Sequence, residues 1–167
     1  PPGFERLLQS PVLGATFGGG EANVAVSLAH FGLESHFVTR LPAHAVGEAA
    51  VKALRAEGVR TEFVVRGGER VGIYFAEAGA SQRASTVIYD RAHSAIAGLE
   101  PGTIDWKTAM AGAAWFHVTG ITPALGAKAA ACTRESMEAA RAAGARVSVD
   151  LNFRRKLWSA SQAQLTM

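Results

Sequence analysis

The sequence predicts an α/β fold in which helices flank a mostly parallel sheet, with a small β-rich segment inserted. Three observations predict it. Strand-like and helix-like segments alternate over residues 12–58, three strand-like runs follow one another over residues 60–90, and the alternation returns over residues 104–151. Since strand–helix alternation is typical of parallel sheets covered by helices, residues 60–90 are expected to form a separate β-rich insert.

The first part of the chain is predicted to contain two strand–helix units. The strands are expected at residues 12–17 and 35–40, where apolar residues run together. A helix follows each of them, the second over residues 46–57, and each helix ends at a glycine, Gly32 or Gly58. This is the alternation that a parallel sheet requires.

The rest of the chain continues in two stages. The insert is predicted to contain strands at residues 60–65, 71–77 and 85–90, with only turn residues between them. The α/β part then resumes with helices and strands in alternation. These are expected as a helix at 104–112, a buried strand at 114–119, a long helix at 124–143 and a strand at 146–151.

The last residues predict the start of another helix. Ser159 and Gln162 have the spacing of a capping box, which begins a helix only about two turns before Met167. An isolated helix of that length is marginal in water. The natural domain is therefore expected to continue past Met167, and no first strand–helix unit is recognisable before residues 12–17.

The composition excludes several classes of protein. The 17 Lys and Arg are scattered and the formal net charge is only +3, so nucleic acid is not an expected partner. No apolar run approaches the length of a membrane span and the first residues do not resemble a signal peptide, so no membrane partner is expected. Cys132 is the only cysteine, which fits a reducing compartment and predicts a cytoplasmic protein, with this residue as a small buried apolar group.

The glycine cluster at residues 18–20 is a candidate ligand-binding turn because it precedes a helix. Glycines let the backbone approach a ligand closely, and a helix N-terminus presents unpaired N–H groups. A dinucleotide-binding turn needs another glycine where Asn23 stands, so a nicotinamide cofactor is not expected. Taken alone, such a cluster is more often a tight turn without a ligand.

The segment VSVDLNFRRKLW (147–158) is a second candidate. Asp150, Asn152 and Arg154 alternate along the end of a strand and would point to the same side, where ligands of open α/β sheets bind. The planar guanidinium of Arg154 suits a carboxylate. For this motif in isolation, the favoured alternative is that Asp150 and Asn152 cap the backbone and Arg154 is solvated.

The β-rich insert carries a third set of candidates. Tyr74 lies on one predicted strand, and Tyr89 and Arg91 share a face of the next. Together they can close over a polar ligand and supply two hydroxyl groups and one cation. Packing of the two tyrosines across the strands is the commoner alternative.

No metal site and no catalytic group is predicted within the chain. The acidic residues Glu21, Asp105 and Glu138 have no partner that the sequence identifies. The histidines lack the spacing of metal ligands; they are His30, His36, His44, His93 and His117.

Five segments are far more specific in combination than any one of them alone. They are GGGEANVAVSLAHFG (18–32), GIYF (72–75), VIYDRAHSA (87–95), FHVTGITPAL (116–125) and VDLNFRRKLW (149–158). In this order they resemble the PfkB, or ribokinase-like, carbohydrate kinases, and most closely the 2-keto-3-deoxygluconate kinases among them. The resemblance implies that residues 1–167 are a partial ribokinase-like domain, with β-sheet lid strands within 12–17 and 60–90 and the α/β core in the remainder.

The resemblance also implies a set of substrate-binding residues: Gly19, Asn23, Tyr74, Tyr89, Arg91 and Arg154. The turn residues would contact sugar hydroxyls, the lid residues would reach the substrate from the lid side, and the arginine would bind the carboxylate of a sugar acid. The chain departs from the general family pattern at Glu21, where a small residue is usual, and at residues 41–44, where a Gly-Asp-Asp turn is common.

ATP and Mg²⁺ are implied as cofactors of the whole protein. Kinases of this family carry a later Gly-Ala-Gly-Asp segment with the anion hole and the catalytic aspartate, and residues 1–167 contain no such segment. Phosphoryl transfer needs charge neutralisation and a base as well as positioning. The chain on its own is therefore expected to yield no ADP from ATP, Mg²⁺ and 2-keto-3-deoxygluconate.

Three functions stay open at this point. The first is a 2-keto-3-deoxygluconate kinase, and the second is a kinase for fructose or another ketose, for which Arg154 would have no carboxylate to bind. The third is a non-catalytic protein that binds or senses a sugar. In each case a small sugar or sugar acid is the expected ligand, and the unpaired edges of a lid sheet favour a homodimer through the lid.

Overall fold

The computed structural model describes all 167 residues and contains helices and strands in alternation. The helices are α1 (Gly20–His30), α2 (Ala45–Ala56), α3 (Trp106–Ala109), α4 (Ala127–Ala142) and α5 (Ala160–Thr166), with a 3-10 turn at Pro123–Leu125. The strands are β1 (Thr39–Leu41), β2 (Val64–Arg66), β3 (Ile73–Glu77), β4 (Thr86–Asp90), β5 (Trp115–Thr119) and β6 (Arg146–Asp150).

The strands form three two-stranded sheets, two of them parallel. β1 pairs with β2 in parallel across the connecting helix α2, and β5 pairs with β6 in parallel across α4. β3 and β4 form an antiparallel hairpin. The predicted α/β class is confirmed, but in place of one mostly parallel sheet the structure has two separate parallel pairs and the antiparallel hairpin.

The strand predicted at residues 12–17 is wrong. These residues form no strand and pair with none, and Val12, Leu13 and Phe17 are exposed. A strand is stable only where its N–H and C=O groups find partners on a neighbouring strand, and a run of apolar residues does not provide that neighbour. Residues 12–17 therefore add no strand to the lid.

The strand predicted at residues 60–65 was placed in the wrong part of the fold. The observed strand β2 pairs in parallel with β1, and a bridge between His36 and Arg60 extends that pairing. The reason is the helix α2 between them, which brings the chain back alongside β1 as a parallel crossover. The predicted β-rich insert is therefore limited to the antiparallel pair of β3 and β4, which we call the lid hairpin.

Two apolar clusters hold the elements together. The smaller one packs α1 against α2 and consists of Ala22, Ala25, Leu54 and Val59. The larger one joins α3 and α4 and consists of Leu99, Ile104, Trp106, Met110, Cys132, Ala140 and Ala145. Burial raises the pKa of the Cys132 thiol, which keeps it protonated, and confirms its predicted role as a small apolar residue.

The capping box predicted near the end of the chain is confirmed. The Ser159 hydroxyl oxygen accepts from Gln162 N at 3.2 Å, and Gln162 Oε1 accepts from Ser159 N at 2.9 Å. These two reciprocal hydrogen bonds begin α5. No helix in the structure combines the length and apolarity needed to span a membrane.

Acid is expected to destabilise this fold through four carboxylates: Glu34, Asp90, Glu100 and Asp105. Each accepts a side-chain hydrogen bond that lowers its pKa below the ordinary value of 4.5 for Glu or 3.8 for Asp. Such a group stabilises the native state above its unfolded pKa, and this contribution is lost as the pH falls through the lowered native pKa. The melting temperature should therefore decline once the pH drops below about 4.

The variant Asp105→Asn isolates the contribution of one of these four carboxylates to the acid sensitivity of the fold. Asp105 accepts from Thr108 N at 3.2 Å and from Thr108 Oγ1 at 2.6 Å, and asparagine can still cap α3 without a charge that acid removes. The melting temperature of this variant should fall less steeply with acid. Superimposable acid profiles for the variant and the wild type would contradict the assignment.

Candidate functional site

The glycine turn before α1 lies where α1, the lid hairpin and β5 meet. A methyl group at the Cβ position of Gly18 would lie 3.5 Å from Asn23 Oδ1 and 3.7 Å from the Tyr74 hydroxyl. At Gly20 it would lie 3.1 Å from the Thr119 methyl carbon. Gly20 therefore permits the close approach of α1 to β5, whereas the Cβ position of Gly18 is at ordinary van der Waals distance from Asn23 and Tyr74.

Asn23 is held close to this turn by a local hydrogen bond. Gly19 N donates to Asn23 Oδ1 at 3.4 Å, so the amide carbonyl faces the turn backbone. Both predicted residues, Gly19 and Asn23, thus lie at the N-terminus of α1 beside the Tyr74 hydroxyl. The structure brings these three candidates together.

The lid hairpin pairs the two tyrosines. Tyr74 lies opposite Tyr89 in the register, and their ring centroids are 6.3 Å apart at an interplanar angle of 51°. The Arg91 guanidinium carbon lies 4.0 Å from the centre of the Tyr89 ring, which is a cation–π arrangement. The predicted cross-strand packing is present, and it links the Tyr74 side of the lid to Arg91.

An ion pair closes the base of the lid hairpin. Arg70 donates to both carboxylate oxygens of Asp90, at 2.9 and 2.7 Å, and to the Asp90 carbonyl oxygen at 2.9 Å. Their hydrogen bond lowers the pKa of Asp90 and raises that of Arg70. Because Asp90 directly precedes Arg91, this pair fixes the end of β4 that carries Arg91.

The chain turns sharply after β6. Asn152 N donates to Asp150 Oδ1 at 3.0 Å, so the predicted alternative of backbone capping is correct for Asp150. Asn152 has φ 37°, in the left-handed region, and its side-chain nitrogen lies 3.8 Å from the Cβ position of Gly20. Leu157 N then donates to Arg154 O at 2.8 Å, which closes a turn.

A cavity of about 390 Å³ lies between the lid strand β4 and this turn. Its lining residues are Ser85, Val87, Tyr89, Arg91, Phe153, Arg154, Arg155 and Lys156. Three of the predicted site residues, Tyr89, Arg91 and Arg154, therefore meet in one cavity. Gly19, Asn23 and Tyr74 do not line it; they form the neighbouring group at the glycine turn.

The cavity is positively charged and its cations are free of carboxylate partners. Arg91, Arg154, Arg155 and Lys156 form no ion pair. The guanidinium of Arg154 makes one hydrogen bond, to the adjacent Phe153 carbonyl at 3.4 Å. Since no acidic residue lines the cavity, it is suited to an anionic ligand.

The sequence did not predict two of these cations or the contacts of Glu21. Alternation of side chains along an extended strand predicted only Arg154 on the ligand side. The turn over residues 154–157 also brings Arg155 and Lys156 to the same cavity. Glu21 accepts hydrogen bonds from Thr119 and Thr122, about 100 positions away in the chain. No local pattern could have indicated that contact.

Residues suited to Mg²⁺ do not come together in the described chain. Side chains of His, Cys, Asp and Glu form no group of three that could hold a metal ion. Residues 1–167 therefore contain no three-ligand metal site of their own. The chemistry that they offer is the binding and orientation of a polar, anionic ligand.

Arg70→Gln is expected to loosen the lid hairpin selectively. Glutamine cannot make the two-pronged charged contact with Asp90, so amide hydrogens of β3 and β4 should exchange faster. Amides of β5 and β6 should exchange at wild-type rates. Arg66→Gln is the matched control, because Arg66 forms an ion pair with Glu48 at 3.5 Å outside the lid; equal effects of both variants would contradict the prediction.

Comparison with known proteins gives one family and several close structures. The model of the pfkB family of carbohydrate kinases matches residues 5–167. A crystal structure of 2-dehydro-3-deoxygluconokinase from Thermotoga maritima superimposes with a TM-score of 0.98 at 47% identity, covering 100% of this chain and 51% of that one. A fructokinase from Xylella fastidiosa with bound ATP superimposes with a TM-score of 0.75 at 29% identity, covering 93% of this chain and 50% of that one.

A curated relative shows the same partial coverage. The 2-dehydro-3-deoxygalactonokinase of Haloferax volcanii is 35% identical over 98% of this chain and 51% of its own length. The chain therefore spans about half the length of the proteins that it matches.

Proposed function

Because the chain belongs to the pfkB family of carbohydrate kinases, as its sequence predicted, we propose that the whole protein is an ATP-dependent kinase for 2-keto-3-deoxygluconate. In this proposal, residues 1–167 supply the surfaces that bind the sugar acid. The Gly19, Asn23 and Tyr74 group contacts sugar hydroxyls. Tyr89, Arg91 and Arg154 bind the end of the molecule that carries the carboxylate.

The observation that carries the proposal is the charge of the cavity beside the lid. Arg91 and Arg154 line it without carboxylate partners, and no acidic residue lines it with them. The Arg154 side chain is exposed and that of Arg91 is half-buried, so both guanidinium groups can be reached by a ligand that supplies an anion. A sugar acid does so, whereas fructose or ribose has no charged group to offer.

Sequence identity to the relatives favours 2-keto-3-deoxygluconate over 2-keto-3-deoxygalactonate as the substrate. The Thermotoga maritima 2-dehydro-3-deoxygluconokinase is 47% identical and the Haloferax volcanii 2-dehydro-3-deoxygalactonokinase 35% identical to this chain. The two substrates differ only in configuration at one carbon, so hydroxyl contacts rather than the carboxylate must separate them. A fructokinase is the second candidate, supported by the ATP-bound relative, and in it Arg154 would have no partner.

ATP is proposed as the phosphoryl donor because a relative of this fold binds it. Mg²⁺ would neutralise the phosphate charges, as phosphoryl transfer requires. We assign no catalytic base within residues 1–167. Their part in the reaction is to hold the sugar acid in a fixed orientation, which lowers the entropic cost of transfer.

The proposal is tested by steady-state kinetics of the whole protein with ATP and Mg²⁺. We expect the highest kcat/KM with 2-keto-3-deoxygluconate, a lower value with its epimer 2-keto-3-deoxygalactonate and the lowest with fructose. A higher kcat/KM with fructose would favour the second candidate. Absence of turnover with every sugar, together with measurable sugar binding, would favour a non-catalytic sugar-binding protein.

We also propose that the lid forms a homodimer contact. The lid face opposite the two tyrosines carries Ile73, Phe75 and Ile88, and the two isoleucines are 44% and 50% exposed. The hairpin edges are unpaired, which favours association with a second lid. Light scattering of the whole protein should give a dimer mass; a monomer would contradict the proposal.

A further inference from the structure

Glu21 joins the glycine turn to the end of β5. The side chain extends from the first turn of α1, and its Oε1 atom accepts three hydrogen bonds. Thr119 N donates at 3.1 Å, Thr119 Oγ1 at 3.0 Å and Thr122 Oγ1 at 2.6 Å. The last distance is that of a hydroxyl bound to a charged carboxylate, about 2.5–2.7 Å.

The contact satisfies a backbone group that the strand pairing leaves free. Gly120 N donates to Asp150 O on β6 at 2.8 Å, so the N–H of the preceding Thr119 faces the other side of β5. Glu21 accepts that hydrogen bond. Thr119 is only 1% exposed, and a buried N–H without a partner would be costly, so the carboxylate stabilises this arrangement.

This contact lies between the glycine turn and the strand end that precedes Arg154. Glu21 is two positions from Gly19 and from Asn23 on one side. On the other side, Thr119 lies opposite Asp150 in the register of β5 and β6, directly before the turn that carries Arg154. The one carboxylate therefore sets the separation between the glycine turn and the arginine that lines the cavity.

We propose that Glu21 is a positioning residue for sugar binding: it sets the distance between the hydroxyl-binding turn and the carboxylate-binding arginine. This inference rests on the proposed kinase function, since it concerns the same substrate site. Glu21 does not need to touch the sugar. It acts through the backbone of the turn at one end and of Thr119 at the other.

Steady-state kinetics of the whole protein with Glu21→Ala test the proposal. We expect the KM for the sugar acid to rise at least about 10-fold, because the turn loses the charged hydrogen bonds that fix its position relative to β5. The KM for ATP should stay at its wild-type value. Glu21→Gln retains a carbonyl oxygen that can accept from the threonine hydroxyls, so it should restore part of the sugar affinity.

Two further variants keep the test decisive if Glu21→Ala does not fold. Thr122→Val removes one of the three hydrogen bonds while leaving the carboxylate, and should raise the KM for the sugar in the same direction by a smaller factor. Glu138→Ala is the matched control, because Glu138 is exposed on α4 and forms no ion pair. Its kinetic constants should equal those of the wild type.

Two outcomes would overturn the proposal. One is a lowered melting temperature in Glu21→Ala and Thr122→Val with an unchanged KM for the sugar, which would make the contact purely structural. The other is an equal rise in the KM for ATP and for the sugar. The kinase function is tested separately, by the kcat/KM values of the wild type with each sugar. The role of Glu21 is tested by the ratio of variant to wild-type KM, which can be measured with whichever sugar the protein phosphorylates.

Discussion

Replacing Arg154 with alanine is expected to lower kcat/KM of the whole protein for 2-keto-3-deoxygluconate by about 10- to 100-fold. Arg154 lines the cavity, forms no ion pair and makes only a 3.4 Å contact to its neighbour Phe153, so its guanidinium is available to a substrate carboxylate. A hydrogen bond to a charged group contributes about 1.5–3 kcal/mol, which gives this range. Turnover of fructose, which has no carboxylate, should be unaffected.

The conservative and control variants sharpen this test. Arg154→Lys keeps the charge but loses the planar fork, so its kcat/KM for the sugar acid should fall between the wild type and Arg154→Ala. Arg141→Ala, on the exposed surface of α4, removes the same side chain away from the cavity and should change neither substrate's kinetics. Equal losses for sugar acid and fructose in Arg154→Ala would contradict carboxylate binding by this residue.

Among the Gly→Ala substitutions near the candidate site, Gly120→Ala should lower the stability of the fold the most. A Cβ atom at Gly120 would lie 2.2 Å from the Leu151 carbonyl oxygen and 3.1 Å from its carbon, both of them backbone atoms. Backbone cannot rotate away as a side chain can, so β5 and β6 must separate at their carboxyl ends. We expect a loss of at least about 2 kcal/mol in the free energy of unfolding.

The same substitution elsewhere provides the control. A Cβ at Gly14 meets no heavy atom within 4 Å, and Gly14 has no positive φ, so Gly14→Ala should leave the unfolding midpoint in urea unchanged. Gly120→Ala should also weaken sugar binding, measured by calorimetry below the unfolding transition, because Asn152 and Arg154 follow β6 directly. A wild-type midpoint and wild-type affinity for Gly120→Ala would refute the predicted clash.

The parts of the fold that the sequence predicted are those with a strong local signal. The end of α2 before Gly58 and the start of α5 at the capping box of Ser159 and Gln162 were recognisable from a few neighbouring residues. Residues 12–17 and 60–65 have equally clear apolar runs, yet a strand depends on a partner that lies far away in the chain. Propensity alone cannot supply the partner, which is why the first run forms no strand and the second pairs with β1.

The candidate site shows the same limit. Tyr89, Arg91 and Arg154 could be predicted because both the alternation of side chains along strands and the resemblance to a family indicated them. The structure places all three in the lining of one cavity. Arg155 and Lys156 were missed because the chain leaves the extended conformation at the turn after β6. Glu21 was noted as a departure from the family pattern, but its partners, Thr119 and Thr122, could be found only in three dimensions.

The pairing of Tyr74 with Tyr89 makes the lid separately observable. The chain contains only two tyrosines, and both lie in the β3–β4 hairpin, one on each strand. In residues 1–167, fluorine-labelled tyrosine would therefore give two NMR resonances that report on this hairpin alone. The Tyr89 resonance would register whether the Arg91 guanidinium remains 4.0 Å above its ring or moves to an arriving anion.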